Sequence, residues 1–303
     1  MLNPNTAVIT TGLNGLIGSK LAKDFGAQYE FTNLDIAHPT QPVDITQYDQ
    51  VMARFAALPD AKSVVHFAAY TDVTGAWNQK GDKTGIAYRV NVEGTQNLIK
   101  ACKETGKHLI HISTAYVFDG EKAESYVETD ALSPIEWYGQ TKAWAEEAVA
   151  QSDIDWTMLR IDMPFRSDAY LRVDFAHRVI KGMVEGKLYP QFNNHYVGPT
   201  FIDDFAKVID FMLRTRTKGL FHASSGERWT DFDFAKLVND KLNLGFDVKP
   251  GDLNAYLATL TRPYQKNTSL NCDKLKQVLD FEMKTIEQAV TEITQPWFIE
   301  SVA

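Results

Sequence analysis

Thr6-Ala-Val-Ile-Thr-Thr-Gly12-Leu-Asn-Gly15-Leu-Ile-Gly18 runs from an apolar segment straight into three evenly spaced glycines. Thr6 to Thr10 is short, apolar and β-branched, which reads as a strand. Glycines follow at once, and Gly15 to Phe25 carries helical periodicity. Strand, glycine turn and helix open a βαβ unit. The spacing is G-x-x-G-x-x-G, at Gly12, Gly15 and Gly18. A glycine turn lets the backbone come close to a pyrophosphate, and the helix N-terminus adds N–H donors and the positive end of its dipole. An ordinary tight turn is the bland alternative, and the position directly after the first strand argues against it.

The same rhythm continues outward. Tyr29 to Leu34, Ser63 to Phe67, Leu109 to Ile112 and Trp156 to Ile161 read as strands. Between them Thr46 to Leu58, Tyr88 to Thr105 and Trp137 to Ala150 read as helices. Such alternation predicts an α/β fold, a Rossmann-type doubly wound parallel sheet. After about residue 164 the alternation breaks. Helices are expected at 173–185, 201–213, 232–242, 253–260, 272–279 and 286–298, a weak extended stretch at 192–197, and a strand at 219–223 that returns to the sheet. Residues 1–164 are therefore expected to form the dinucleotide-binding domain, with segments near 198–224 returning to it. Residues 165–303 are expected to form mainly a smaller mixed α/β substrate domain, closing over the carboxyl ends of the strands.

The 303-residue length suits two domains. With 44% hydrophobic and 23% charged residues the chain is neither disordered nor fibrous. A formal charge of −8 makes it a poor partner for nucleic acid or an anionic membrane. No apolar run reaches the roughly 18 residues of a membrane span, and no basic leader marks a signal peptide. Cys102 and Cys272 are too few for a disulfide framework and lack metal-ligand spacing, so they read as reduced and structural in a cytoplasmic protein.

Asp35 stands 17 residues after Gly18, just past the second strand. A carboxylate there accepts from a ribose 2′-OH and repels a 2′-phosphate, which favours NAD(H) over NADP(H). Asp44 either caps the following helix or faces the adenine. Tyr138-Gly-Gln-Thr-Lys142 places a phenol and an ammonium one helical turn apart. The ammonium is expected to lower the tyrosine pKa, which suits proton transfer to or from a sugar oxygen. Thr114, at the end of the fourth strand, can hold the same oxygen. His66 reads as a packed core residue, His195 as a substrate contact or a surface-loop residue, and His108 and His111 show no metal spacing. The basic run Arg172, Arg178, Lys181 and Lys187 reads as a solvated helix face, with contact between a subset of it and a diphosphate as the alternative.

These motifs resemble the extended short-chain dehydrogenase/reductase superfamily. Within it they are most similar to the dTDP-4-dehydrorhamnose reductase-like family of sugar-nucleotide enzymes. The resemblance rests on the glycine loop, Val65-His-Phe-Ala-Ala-Tyr-Thr71, Asn91-Val-Glu-Gly-Thr95, Ser113-Thr-Ala-Tyr-Val-Phe-Asp-Gly120, Tyr138-Gly-Gln-Thr-Lys142, Gly198-Pro-Thr200, Arg262-Pro263 and Ser269-Leu270. It implies a catalytic trio of Thr114, Tyr138 and Lys142, with Tyr138 as proton donor. It implies that Gly12, Gly15, Leu16, Ile17 and Gly18 hold the pyrophosphate, and that Asp35, Asp44 and Ile45 line the adenosine end. Ala68, Ala69, Tyr70, Asn91 and Ser113 would complete the cofactor side, where Lys142 also meets the ribose. Met163, His195 and Arg262 would face the nucleotide sugar, Arg262 at the diphosphate.

Three positions depart from the reductases. Ala115 stands where they usually carry aspartate, Met163 where they often carry tryptophan, and the stretch Asn193-Asn-His195-Tyr-Val-Gly198 lacks the Asp-Gln pair that they commonly carry ahead of Gly-x-Pro-Thr. All three bear on the sugar rather than the cofactor. An NAD-dependent epimerase or dehydratase uses the same trio, and Ala115 leans that way. The family also includes a non-catalytic regulatory subunit of an S-adenosylmethionine-forming enzyme, against which the intact trio argues. The superfamily often forms homodimers.

Overall fold

The computed structural model of the chain describes residues 6–294. Two compact units interleave along it. The first holds the described residues up to Phe118, Leu132–Arg160 and Ala206–Phe221; the second holds Asp119–Ala131, Ile161–Phe205 and the described residues from His222. The alternation of strands and helices alone predicts one boundary at 164 with a return near 198–224.

The first unit is built on a six-stranded parallel sheet. Its strands are β1 (Thr6–Thr11), β2 (Tyr29–Leu34), β3 (Ser63–His66), β4 (His108–Thr114), β5 (Trp156–Ile161) and the edge strand Gly219–His222. In space they run Gly219–His222, β5, β4, β3, β1, β2. β1 pairs with β2 on one side and β3 on the other, so the winding reverses between β1 and β3. Such a switch point opens a ligand crevice beyond the carboxyl ends of the strands. The register sets Thr11 opposite His66 and His66 opposite His111. Every residue of β4 is buried, as a central parallel strand covered on both faces requires. Ile9, Val51, Phe55, Val64, Leu98, Leu109 and Met158 form the core between sheet and helices.

The expected helix over 88–105 is not continuous. Ile86–Tyr88 leads into a π-helical turn at Arg89–Gly94, and a regular α-helix follows over Thr95–Thr105. Asn91, inside the wide turn, hydrogen-bonds the Tyr70 backbone on both its N–H and C=O, and Thr141. These bonds tie three segments together and account for a turn that local periodicity does not predict. A short helix at Val73–Trp77, capped by Asp72, also lacks a sequence pattern long enough to show.

The second unit packs the helices Phe175–Val184, Asp231–Lys241 and Ile286–Thr291 around Phe165, Phe201 and Phe234. Side chains of Asp174, Thr230 and Thr285 cap the three N-termini. The extended stretch at 192–197 is two short strands, Gln191–Phe192 and Tyr196–Val197, each with a different partner. The helices expected at 253–260 and 272–279 shorten to Leu253–Leu257 and Asp273–Lys276. The end of the helix expected over 286–298 lies outside the described residues.

One buried ion pair fastens the helix Trp137–Ala150 to β5. The Arg160 guanidinium reaches both Glu146 carboxylate oxygens, at 2.6 to 3.2 Å, and both side chains are 3% exposed. Removing one partner strands the other charge. Arg160→Met is expected to cost about 3–5 kcal/mol in urea unfolding, and adding Glu146→Leu to recover most of that loss.

Candidate active site

The glycine loop sits where β1 ends, at the switch point. Gly12 has φ +66°, and a Cβ there would lie 2.9 Å from the Ala68 backbone. A Cβ at Gly18 would lie 2.5 Å from the Leu13 carbonyl oxygen. Neither position admits a side chain, so the loop presents bare backbone ahead of the helix Gly18–Phe25. Asn33, which the sequence reading passed over, accepts from the Leu13 N–H at 3.0 Å and donates to Asp35 at 3.3 Å. It thereby couples the glycine loop to the carboxylate expected at the ribose. Asp35 also accepts from the Ala37 N–H. Asp44 accepts from the Thr46 N–H, and Ile45 is buried against Gly94. Leu16, Ile17, Ala68, Ala69 and Tyr70 are half-buried around this loop and the end of β3. Ser113 is buried and its hydroxyl has no partner among the described residues.

The second half of the site is the helix Trp137–Ala150 against the end of β4. Glu136 caps it, accepting from the N–H groups of Tyr138 and Gly139. The helix approaches the 3₁₀ turn Ala115–Val117 so closely that a Cβ on Gly139 would stand 2.0 Å from the Tyr116 carbonyl oxygen. That contact requires the glycine between tyrosine and lysine. Thr114, Tyr138 and Lys142 are all buried, at 7%, 9% and 3% exposure. Thr114 and Tyr138 are hydrogen-bonded through their side chains. Lys142 Nζ donates to the Ile112 carbonyl at 2.8 Å and lies 3.4 Å from His111 Nε2.

The tyrosine corrects one expectation. Burial and the Glu136 carboxylate push the Tyr138 pKa up, while the bond to Thr114 pulls it down. Burial and the Glu136 carboxylate outweigh the Thr114 bond, so the phenol is held neutral rather than drawn toward phenolate. Burial lowers Lys142 to about 8, against an opposing pull from Glu146. His66 is buried and clamped between Thr11 and Thr95, at 2.7 and 3.1 Å, which makes it a packing residue.

The candidates of the second unit have different surroundings. His195 is not a surface-loop residue: it is 1% exposed, and its Nδ1 lies 2.6 Å from Asp231 Oδ2. Its Nε2 has no partner among the described residues. Met163 is half-buried against the apolar core and adopts φ +38°. Arg262 is half-buried, its guanidinium 5.2 Å above the Tyr264 ring. Asp162, missed from the sequence because nothing local marks it, accepts from the Gly198 N–H at 2.8 Å and the Thr268 hydroxyl at 2.7 Å. Burial raises its pKa to about 7. Arg178 and Lys187 are exposed and Lys181 is half-buried, and with Tyr189 and Gln191 they border a surface cavity of about 220 Å³. Among the described residues no helix is long and apolar enough to cross a membrane, and no group of three His, Cys, Asp or Glu could hold a metal ion.

Comparison with known proteins gives consistent matches. The family model described as RmlD substrate binding domain matches residues 6–298. The dTDP-4-dehydrorhamnose reductase of Sinorhizobium fredii is 30% identical, over 96% of this chain and 97% of its own. The methionine adenosyltransferase 2 subunit beta of Mus musculus is 28% identical, over 98% and 90%. Among solved structures, dTDP-4-dehydrorhamnose reductase from Bacillus anthracis in complex with NADP superposes with a TM-score of 0.84 at 26% identity, covering 98% of this chain and 99% of that one.

Lys142 gives the first unit a pH signature. Its folded pKa of about 8 lies below the usual 10.5, so between those values the unfolded chain binds a proton that the folded chain does not. The Lys142 contribution to stability must therefore rise with pH across that window. Urea unfolding of wild type and Lys142→Met at pH 7.5, 8.5 and 9.5 is expected to show their difference moving in favour of wild type as pH rises.

Proposed function

The chain belongs to the RmlD substrate binding domain family, and from that premise we propose that it reduces the 4-keto group of a nucleotide-linked deoxysugar. It is a nicotinamide-dinucleotide-dependent oxidoreductase of the extended short-chain type. The observation that carries the reading is the buried set Thr114, Tyr138 and Lys142, assembled in the same unit as the side-chain-free loop at Gly12 and Gly18. The glycines are required by the close approach of the Ala68 and Leu13 backbone, and the turn they shape leads straight into the N-terminus of the helix Gly18–Phe25, where backbone N–H groups suit a pyrophosphate.

The residues divide the work. Gly12, Gly15, Leu16, Ile17 and Gly18 would hold the pyrophosphate; Asp35, Asp44 and Ile45 the adenosine; Ala68, Ala69, Tyr70, Asn91 and Ser113 the remaining cofactor side. Asp35 favours a dinucleotide without a 2′-phosphate. When bound, the dinucleotide supplies the hydride. Thr114 holds the carbonyl oxygen, and Tyr138, kept neutral by burial, gives that oxygen its proton as the carbon is reduced. Lys142 fixes the ribose and stabilises the charge left on Tyr138. Met163, His195 and Arg262 are proposed to meet the nucleotide sugar. A homodimer in the cytoplasm is the assembly proposed, in keeping with the two buried free cysteines and the habit of the superfamily.

Ala115 favours a second reading. It is fully buried where the resembling reductases carry a carboxylate, so an epimerase or dehydratase that returns its hydride within one cycle is the competing proposal.

Incubation with NADH or NADPH and dTDP-4-dehydrorhamnose, following absorbance at about 340 nm and product mass, decides between them. Net oxidation with a gain of two hydrogens is expected. An isomer or dehydrated product from a nucleotide sugar, without net oxidation, would support the second reading instead. Tyr138→Phe is expected to lose about 10²–10⁴-fold in kcat, and wild-type turnover by that variant would sink the assignment of the proton donor.

A further inference from the structure

The environment of Lys142 contains one side chain that the reaction as described does not use. An ammonium has three N–H donors and no acceptor. One of the three meets the Ile112 carbonyl at 2.8 Å. His111 Nε2 lies 3.4 Å from the same Nζ. With Lys142 charged, two cations or two donors would repel across that gap, so the contact is favourable when Nε2 carries a lone pair and the ring proton sits on Nδ1; Nδ1 has no partner among the described residues, so the lysine contact is what selects this tautomer. Burial, the Lys142 charge and the neighbouring His66 all hold His111 neutral. The ring cannot easily turn away. It is fully buried in β4, and the His66 ring stands 5.3 Å from it, fixed by Thr11 and Thr95.

We propose that His111 is a positioning residue for Lys142: its Nε2 lone pair accepts from the ammonium and, with the Ile112 carbonyl, leaves one N–H for the bound ribose and Tyr138. This rests on the role given to Lys142 above. The groups facing Lys142 are few. Glu146 and Tyr138 lie one turn away on its own helix, His111 and the Ile112 carbonyl come from β4, and His66 from β3 stands behind His111. Of these, Glu146 favours the charged lysine through space, and burial opposes it. A lone pair at His111 Nε2 adds to the Glu146 side. Removing it should make the lysine lose its proton at lower pH, whereas a passive core residue of similar volume should leave that titration alone.

The test is read on the whole protein without substrate. With ¹³C-labelled lysine, the Lys142 Cε resonance is assigned by its disappearance in Lys142→Met and followed from pH 6 to 10. Wild type is expected to titrate near pH 8. His111→Leu should titrate at least one pH unit lower, and His111→Gln, which keeps an acceptor, within about 0.3 of wild type. The same order should appear in the pH profile of kcat. An unchanged Lys142 titration in folded His111→Leu overturns the proposal. Should that variant not fold, the ¹⁵N spectrum of wild-type His111 still decides: Nε2 unprotonated and Nδ1 protonated supports the proposal, and a proton on Nε2 overturns it. Absence of turnover on every sugar nucleotide would count against the proposed function and leave the lysine titration to be read on its own.

Discussion

The Lys142 ammonium is 3% exposed, because the helix that carries it is pressed against the end of β4. The Ile112 carbonyl at 2.8 Å offsets part of the cost of that burial. The other constraints on the first unit serve that approach. Gly139 has no side chain where Tyr116 comes nearest, and Glu136 takes up the first N–H groups of the helix. Asn91 joins the helix to the loop after β3 through Thr141, and Glu146 joins it to β5 through Arg160. Five contacts with different chemistry thus converge on one helix of 14 residues.

Because it is held from so many sides, this helix buries residues around most of its circumference, from Trp137 and Tyr138 to Glu146 and Val149. It nonetheless shows clearly in the sequence, since strong helix formers fill it and a tyrosine and lysine four apart mark one face. The β1 segment and its glycines are equally plain, because a tight turn, a close approach and a helix start each demand the same small residue. Parallel strands buried on both faces give short apolar runs, and those too can be counted along the chain.

What escaped the sequence is what long-range partners decide. The wide turn at Arg89–Gly94 exists because Asn91 finds Tyr70 and Thr141, 21 and 50 residues away. Asp162 earns no local signal, and its place between Gly198 and Thr268 appears only when the chain is folded. For His195 the sequence leaves a substrate contact and a surface loop equally open, because its partner Asp231 is 36 positions distant. For Tyr138 the sequence weighed a lysine one turn away, whereas the folded chain weighs burial and a carboxylate two residues back. Pairing patterns that repeat locally are legible; single contacts between distant residues are not.

The interleaving of the two units sets an order on biosynthesis. The first unit lacks its outer strand until Gly219–His222 has been made, and Tyr29 of β2 lacks its hydroxyl partner until Asp210 has been made. More than half of the second unit is encoded beyond that point. A ribosome that has translated the glycine loop, β4 and the helix Trp137–Ala150 has therefore produced Thr114, Tyr138 and Lys142 but neither finished unit. Domains usually fold in turn as they emerge, the N-terminal one first. Here both halves stay incomplete until the segments after residue 206 have been made, so their unpaired surfaces remain uncovered for longer than in two domains arranged end to end.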